Sequence, residues 1–463
     1  MPRSLLLSVR PRWLGTLGST LIAVSSWVSG ALPEPLPIDA TLIPTSAITL
    51  FGVVLLCMAW VMLLVQKRQS RRSLMVTYLW WAAPLLVAAP LFSRDVYSYL
   101  AHGAAVARGL DPYAAGPLAL LGSHDPLAQA VDSLWATTPS PYGPVATGIS
   151  GLIAALTQEH MVVGIALHRA VAFCATLAIA WALHSLHRSP HALLLGVLNP
   201  LALIHFVGGA HNDALMLAFV LVGLRFALRN SPSSALGGAA LISAGGLVKS
   251  AGLPALGFAG MVLARRFKRR GIPVPILTAA AVEGSILAGT AFGTSAITGT
   301  GFGWIAAQTA SAQTNSWLSI TSLIGRAIGH QSVVQTLGLV LAGAVMVTAL
   351  FATYRGRIHP LGGLGLANLG MVALFPVVQP WYPLWAIVVL AGWGFHVAST
   401  SKKLIALSVL FCFLALPRGQ ALQPTEVITI YLLAAALCVI GVIAIRLVRI
   451  ANHGRSARSR FRS

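Results

Sequence analysis

The chain contains few acidic residues. Of its 463 residues only 10 are Asp or Glu, against 31 Lys or Arg, and charged residues of both signs make up 9%. A water-soluble protein of this length covers its surface with many more charged side chains, whereas hydrophobic residues here reach 57% and the mean hydropathy is +0.81. This composition excludes an ordinary soluble globular protein and indicates an all-α, polytopic membrane protein.

Several functional motifs are also absent. The four cysteines, Cys57, Cys174, Cys412 and Cys438, lie within apolar segments, and none has the spacing of a metal-ligand set. There is no Asp-x-Asp motif of the kind that holds a metal on a nucleotide-sugar, and the segment 246–250 lacks the glycine that precedes the lysine of a P-loop. We therefore expect no metal, no other cofactor and no donor that is handled as a metal-bound nucleotide.

The formal net charge of +21 does not indicate nucleic-acid binding. Lys and Arg occur in short clusters between apolar segments, at 67–72, at 265–270 and from Arg446 onward, and this pattern is typical of positive-inside anchoring in a membrane. The expected partners are membrane lipids rather than nucleic acid. Both termini are predicted to be cytoplasmic, in a plasma-membrane protein.

Apolar segments long enough to span a bilayer recur along the whole chain. We predict spans near 14–32, 44–65, 74–92, 161–183, 191–207, 213–229, 272–290, 332–354, 360–378, 381–397, 402–416 and 426–446. With the ambiguous segments 145–157 and 236–264, they give a bundle of about 12–14 transmembrane helices. The predicted organisation is a single membrane domain over residues 1–446 and a basic cytoplasmic tail over 447–463.

The segment 236–264 allows two topologies. As one long span it would place Lys249 near the bilayer centre, at a cost of about 2.5–3.5 kcal/mol. If the segment breaks around residues 250–252, Lys249 reaches the outer surface and 145–157 lies along the outer interface. We favour this arrangement because it places most Lys and Arg inside and every carboxylate except Glu283 outside. It predicts a first periplasmic loop with interfacial helices at 93–160 and a second at 291–331.

Asp95 is the strongest candidate for a catalytic residue. It follows the apolar span 74–92 and opens a predicted helix, and Tyr99 and His102 follow it at i+4 and i+7, on the same helical face. A carboxylate in a first turn also complements the helix dipole, so a purely structural role stays open. A polar helical face at the mouth of a membrane protein favours a catalytic cavity.

Other polar groups would emerge on the same outer side. Residues 211–213, His-Asn-Asp, follow a glycine pair; one of them could cap the next helix, but three successive polar residues favour a functional site. Lys249 either extends its ammonium group to the membrane surface as an anchor or provides a cation that binds an anion in the cavity. The aromatic residues at 381, 382 and 385 fit an interface belt or, beside Gln379, a platform for a sugar. Asp111, Tyr113 and Tyr142 lie in turn-forming segments, with a substrate contact as the alternative.

These residue types suit the transfer of a sugar from a lipid-borne donor at the outer leaflet. A sugar hydroxyl that attacks an anomeric carbon needs a base, and a positioned carboxylate contributes about 10²–10⁴-fold. The departing lipid phosphate needs cations and hydrogen-bond donors, which we assign to Arg94, His211 and Lys249. A transporter or flippase of lipid-linked sugars, or a transferase of arabinose or glucose, stays an alternative.

Five short motifs resemble a known family in the order in which they occur: Ser93-Arg94-Asp95-Val96-Tyr97-Ser98-Tyr99, Asp111-Pro112-Tyr113, Ser140-Pro141-Tyr142-Gly143-Pro144, Asn199-Pro200 with His211-Asn212-Asp213, and Gln379-Pro380-Trp381-Tyr382. They are similar to the actinobacterial polyprenol-phosphate-mannose-dependent α-1,6-mannosyltransferases, which have the GT-C fold and build the mannan backbone of lipomannan and lipoarabinomannan. The resemblance covers roughly residues 75–400.

The resemblance implies an inverting transfer of mannose from polyprenyl-phosphate-mannose to the 6-hydroxyl of a lipid-anchored α-mannan, on the periplasmic side and without an obligatory metal. By position, Asp95 matches the catalytic acidic residue of the GT-C enzymes. The residues expected to contact the substrates are Tyr97, Tyr99, His102, Asp111, Tyr113, Tyr142, Asn212, Asp213, Gln379, Trp381 and Tyr382.

Overall fold

The structure, a computed structural model, describes residues 10–33, 41–66, 69–312, 316–394, 398–418 and 422–460. Helices account for 76% of the chain, and the described residues contain no strand, as the composition predicts. In chain order the helices are α1 (Pro11–Ser29), α2 (Leu42–Leu64), α3 (Arg71–Leu86), α4 (Asp95–Ala107), α5 (Pro117–Leu121), α6 (Pro126–Ala130), α7 (Ser133–Ala136), α8 (Pro144–Thr157), α9 (Met161–Leu186), α10 (Pro190–Leu195), α11 (Pro200–Ala202), α12 (Asp213–Ala227), α13 (Pro232–Val248), α14 (Pro254–Arg269), α15 (Pro275–Thr298), α16 (Trp304–Ala312), α17 (Ile320–Ala327), α18 (Gln331–Tyr354), α19 (Pro360–Leu374), α20 (Leu384–Trp393), α21 (Ala398–Cys412) and α22 (Pro424–Arg460).

Five of these helices are long and apolar enough to cross a membrane by themselves: α2, α9, α15, α18 and the first part of α22, Pro424–Ala444. The pair Pro200–Gly208 and Asp213–Ala227 meets the same test jointly, with a bend of 114° between its halves. Four other apolar helices have only 10–17 residues. The protein is thus an all-α, polytopic membrane protein, while the expected number of about 12–14 crossings stays a prediction.

The break predicted within 236–264 is present. Helix α13 ends at Val248, a single 3₁₀ turn covers Ser250–Gly252, and α14 begins at Pro254. A proline at the first position of α14 cannot donate a backbone hydrogen bond into the preceding turn, which favours a new helix start there. Lys249 therefore lies in the corner between two helices.

The second predicted loop, 291–331, is largely helical. Helix α15 continues to Thr298, and the hydroxyls of Thr290, Thr294 and Thr298 donate to carbonyls one turn earlier. Helices α16 and α17 occupy much of the remainder. That 291–331 lies on the periplasmic side stays a prediction.

Two glycines let α12 and α13 pack at backbone distance. A Cβ atom added to Gly223 would lie 2.7 Å from the carbonyl oxygen of Gly238, and one added to Gly238 would lie 2.6 Å from that of Gly223. Small residues of this kind allow close helix packing in membranes. Because the two helices run antiparallel through a short turn, the start of α12 at Asp213 lies beside the end of α13 at Lys249.

A similar contact fixes the first outer segment. A Cβ atom added to Gly103 of α4 would lie 2.4 Å from the carbonyl oxygen of Ser150 in α8, so these helices also meet at backbone distance. Between them, Asp125 and Asp132 accept hydrogen bonds from the first backbone N–H groups of α6 and α7. Helix α4 is thereby held against the bundle with Asp95 at its first position.

Candidate active site

Two chain segments with unusual backbone conformations lead into the site. Phe92, with φ of 64°, precedes Ser93 and Asp95, and Ala210, with φ of 54°, precedes His211. Non-glycine residues in this left-handed region cost about 1–3 kcal/mol each and persist only where the surrounding structure imposes them. Both segments therefore have a fixed shape at the points where they present their polar side chains.

Asp95 lies at the start of α4, between the hydroxyl of Ser93 and the ring of His211. Ser93 Oγ donates to Asp95 Oδ1 at 2.7 Å and accepts the backbone N–H of Asp95 at 3.0 Å. On the other side, His211 Nδ1 lies 3.4 Å from Asp95 Oδ2. The carboxylate side chain keeps 16% of its surface exposed while that of His211 is fully buried, so Asp95 is the accessible member of the pair.

The electrostatics around Asp95 favour the carboxylate over the protonated acid. Burial by itself raises the pKa of Asp95, but His211, the Ser93 hydroxyl and the positive charge of Lys249 outweigh it. The pKa of Asp95 consequently lies below its ordinary value. The group is ionised at neutral pH and can accept a proton.

Asp213 and Lys249 form a second, tighter pair. Lys249 Nζ donates to both carboxylate oxygens of Asp213 at 2.9 Å, and Trp385 Nε1 donates to Oδ1 at 2.6 Å. Asp213 is fully buried, whereas the Lys249 side chain is 15% exposed. Burial lowers the pKa of Lys249, but the charge and hydrogen bonds of Asp213 raise it overall, so the ammonium group stays charged.

Aromatic rings from the segment that begins α20 enclose both pairs. Trp381 lies against His211 with ring centroids 3.8 Å apart, and Tyr382 stacks on Trp385 at 3.9 Å. Lys249 Nζ is 5.0 Å from the centroid of Tyr382 and 5.4 Å from that of Trp385, within the range of cation–π attraction. The structure thus brings the aromatic residues of the 379–382 motif to the Asp95–His211 contact and the Asp213–Lys249 salt bridge.

Tyr99, Tyr142 and Asn212 line a small cavity beside the site. The rings of Tyr99 and Tyr142 meet edge to face at 5.2 Å, and the backbone N–H of Asn212 points to the Tyr99 hydroxyl at 3.5 Å. His102 and His168 also line the cavity. Burial lowers the pKa of His102 to about 4, so this residue is neutral at physiological pH.

Other predicted site residues point elsewhere. Arg94 donates to the carbonyl oxygen of Pro33 at 2.6 Å, and the Tyr97 hydroxyl donates to that of Ala31 at 2.9 Å. Both side chains are therefore directed to the segment after α1 rather than to His211 and Lys249. The structure does not bring Arg94 together with the other two residues that we assigned to the donor phosphate.

The Asp111-Pro112-Tyr113 motif forms a turn beside the site. Asp111 is exposed and accepts the backbone N–H of Tyr113 at 2.9 Å, which is the structural role that its sequence allows. Tyr113 packs with Leu247 and Trp304, close to the corner that holds Lys249. Gln379 is half-buried, and its main-chain carbonyl accepts the N–H of Tyr382 at 3.0 Å.

Sequence reasoning missed Gln308. Its amide nitrogen donates to the carbonyl oxygen of Pro141 at 2.6 Å, and its amide oxygen accepts the hydroxyl of Ser250 at 2.8 Å. Gln308 thereby joins α16 to the segment around Tyr142 and to the corner at Lys249. No sequence pattern marks this residue, because it is a lone amide in a segment rich in small polar residues.

In the described part of the chain, no group of three or more His, Cys, Asp or Glu side chains is arranged to hold a metal ion. Asp95 faces His211 and Asp213 faces Lys249, so the two carboxylates do not converge on a common metal position. That transfer needs no metal stays a prediction.

Comparison with known proteins identifies similar sequences over nearly the whole chain. Residues 12–265 match the family model described as "Alpha-(1->6)-mannopyranosyltransferase, N-terminal domain", and residues 308–444 match that of the "MptB C-terminal domain". The alpha-(1->6)-mannopyranosyltransferase B of Corynebacterium glutamicum is 41% identical, over 92% of this chain and 79% of its own length.

More distant relatives carry the same name. A probable alpha-(1->6)-mannopyranosyltransferase of Mycolicibacterium smegmatis is 37% identical, over 86% of this chain and 82% of its own length. The alpha-(1->6)-mannopyranosyltransferase A of Mycobacterium tuberculosis is 29% identical, over 82% of this chain and 80% of its own length. No solved structure is significantly similar to the chain.

Proposed function

This chain belongs to the alpha-(1->6)-mannopyranosyltransferase family, and we propose that it transfers mannose from polyprenyl-phosphate-mannose to the 6-hydroxyl of a lipid-anchored α-1,6-mannan, with inversion and on the periplasmic side of the plasma membrane. The coarser statement, mannosyl transfer by a membrane protein, rests on the names of the relatives and on the apolar helices. The proposed donor, the inversion and the periplasmic side are argued from the residues of the candidate site and their placement.

The observation that carries the proposal is the pairing of an accessible carboxylate with a nearby cation at one end of the bundle. Asp95 accepts the proton of the acceptor hydroxyl as that oxygen bonds to the anomeric carbon of mannose. The bond from the anomeric carbon to the phosphate oxygen breaks on the opposite face, which converts a β-linked donor into an α-linked product. The electron pair leaves with the lipid phosphate.

Lys249 and His211 suit the departing phosphate. An ammonium group has three donors, and Lys249 directs two of its hydrogen bonds to Asp213, so one donor stays available. His211 Nε2 makes no hydrogen bond to any described residue. Charge that develops on the phosphate in the transition state is stabilised by such preorganised groups.

The distribution of charge along the helices supports a periplasmic site. Helix α3 begins with Arg71 and Arg72 and leads to Asp95, whereas α14 begins next to Lys249 and ends in a basic segment at 265–270. Basic clusters stay on the cytoplasmic side of membrane proteins. The ends that carry the site are therefore the extracytoplasmic ends in the proposed topology.

Transfer by the purified protein tests the function. The assay combines synthetic polyprenyl-phosphate-mannose with short α-1,6-mannan acceptors, in the presence and absence of EDTA, and the linkage of the product is determined by NMR. We expect a new α-1,6 bond at a rate that EDTA does not change. Transfer from GDP-mannose but not from the lipid donor would refute the proposed donor, and a β-linked product would refute inversion.

Cysteine labelling tests the side of the membrane. Ala210, at the site itself, is 3% exposed and would not react, so exposed positions are needed. In a cysteine-free background, Ser123→Cys in the first outer segment should react with an impermeant thiol reagent in intact cells. Ser233→Cys, at the start of α13, should react only after lysis, and the reverse pattern would place the site in the cytoplasm.

A further inference from the structure

A buried cation lies inside α9, outside the residues that the proposed mechanism uses. Arg169 is 4% exposed, and no described carboxylate forms an ion pair with it. Its guanidinium group donates four hydrogen bonds, and all of them go to main-chain carbonyls. The acceptors are the carbonyl oxygens of Leu86 at 3.1 Å, Ala88 at 2.7 Å, Val207 at 3.2 Å and Gly208 at 3.0 Å.

These carbonyls belong to two segments in which a helix ends. Leu86 and Ala88 lie where α3 stops and the chain turns toward Asp95. Val207 and Gly208 are the last residues of a π-helix, Leu203–Gly208, that precedes His211. Carbonyls at such ends have no helical partner, and an unsatisfied carbonyl among apolar side chains is costly. The planar guanidinium group of Arg169 donates hydrogen bonds to carbonyls of both segments at once. The ammonium group of a lysine cannot donate in the same fixed, forked geometry.

On both segments the carbonyls bound by Arg169, which we call the clamped carbonyls, precede a residue with strained backbone. From the clamped carbonyls the chain runs through Phe92 to Asp95 on one side, and through Ala210 to His211 on the other. Each strained residue lies between the clamp and the polar side chain. Since strained backbone persists only where its surroundings impose it, a fixed point before each of them is needed.

We propose that Arg169 is a positioning residue: by clamping the end of α3 to the end of the π-helix, it sets the distance between Asp95 and His211 and so orients the catalytic base. This inference rests on the proposed function, in which Asp95 is that base. Arg169 itself lies behind the site and contacts neither substrate nor phosphate.

The bundle contains a matched control for this role. Arg266 of α14 also donates to two main-chain carbonyls, those of Ala227 at 3.2 Å and Leu228 at 3.0 Å, at the end of α12 that lies away from Asp213. Arg169→Lys and Arg266→Lys each keep the charge and remove the fork. R169K should lower the melting temperature of the purified protein more than R266K, because the hydrogen bonds of Arg169 are buried, whereas those of Arg266 are only partly buried and water can replace them.

Only R169K should change the chemistry. We expect its kcat to fall about 10- to 100-fold, as small misplacements of a catalytic group do, with little change in KM for the donor. The titratable groups that face Asp95 are Tyr99 on its own helix, Tyr142, His211, Lys249 and Tyr382. Because a longer contact with His211 weakens the stabilisation of the carboxylate, the acidic limb of the rate profile should move to higher pH in R169K and stay in place in R266K.

A fall in melting temperature for R169K with unchanged kcat and an unchanged acidic limb would overturn the proposal and leave Arg169 a structural residue. If R169K does not accumulate, Arg169→Gln, which retains two amide donors without a buried charge, is measured in the same way. The proposed function fails separately: it is refuted if Asp95→Asn retains full transfer, whatever the behaviour of Arg169.

Discussion

The start of α4 and the start of α12 look alike in sequence but differ in structure. Each begins with an aspartate, and each aspartate faces a basic side chain. Asp95 is partly exposed, accepts one hydrogen bond from Ser93 and lies 3.4 Å from His211, whereas Asp213 is fully buried and accepts three hydrogen bonds of 2.6–2.9 Å. Burial and the salt bridge with Lys249 shield Asp213 from a substrate hydroxyl, whereas part of the Asp95 carboxylate is open to one. We therefore propose that Asp95 accepts the proton and that Asp213 positions Lys249.

The largest expected effect is the loss of kcat on replacing Asp95, which no other acidic residue of its segment should show. Asp95→Asn keeps the shape of the side chain and its N-terminal position but removes the base, so kcat should fall by about 10²–10⁴-fold. The variant should still fold, since the amide oxygen can accept from Ser93. Steady-state assays with saturating donor measure this change.

Asp125→Asn is the matched control. Asp125 caps α6 and pairs with Arg108 at 2.8 Å on the surface, and asparagine preserves the cap. Exposed pairs of this kind contribute about 0–1 kcal/mol, so turnover should stay within twofold of the wild type. Equal losses in both variants would show that any carboxylate of this segment matters as much as Asp95.

The next effect concerns Asp213. Asp213→Asn removes the counter-charge that holds Lys249 in its corner, and breaking a buried pair by removing one partner typically costs about 3–5 kcal/mol. We expect a lower melting temperature and a KM for the lipid donor that rises at least tenfold, with a smaller loss of kcat. A loss confined to kcat would mean that Asp213 takes part in proton transfer.

The pH profile tests the contact between Asp95 and His211. Because the pKa of Asp95 is lowered, the carboxylate stays ionised as the pH falls from 7, and the transfer rate should decline only below the ordinary range for aspartate. Removing His211 takes away part of that stabilisation, so His211→Gln should move the acidic limb to higher pH. An unchanged acidic limb would show that His211 does not stabilise the Asp95 carboxylate.

The smallest expected effect comes from Trp385. Trp385→Phe keeps the ring that stacks on Tyr382 and removes only the N–H that binds Asp213 at 2.6 Å. Asp213 retains both hydrogen bonds from Lys249, so we expect the donor KM to rise by about three- to tenfold, less than in D213N. A change in kcat without a change in KM would place Trp385 at the acceptor instead.

The sequence allowed the all-α membrane fold to be predicted, and it marked several residues that the structure brings together, because both leave local signals. The lengths of the apolar runs located most helices, Lys249 and Pro254 marked the corner between α13 and α14, and the helical spacing placed Tyr99 on the face of Asp95. Trp381 and Tyr382 were recognised as a possible platform, and they do lie at the candidate site.

Contacts between distant segments left no such signal. The fork of Arg169, the amide of Gln308 and the bond from Trp385 to Asp213 each join residues that are far apart in the chain. Arg94 shows the converse: its place next to Asp95 suggested a shared site, but successive residues of a helix start point in different directions, and its guanidinium binds Pro33. Only tertiary packing decides such directions.

The division of roles between the two aspartates can be measured directly as the equilibrium affinity of D95N and D213N for polyprenyl-phosphate-mannose in the absence of acceptor. We predict that D95N binds the donor with the affinity of the wild type although it does not turn over, and that D213N binds at least tenfold more weakly. Equal weakening in both variants, or weakening in D95N alone, would contradict the assignment of Asp95 to proton transfer and of Asp213 to the donor phosphate.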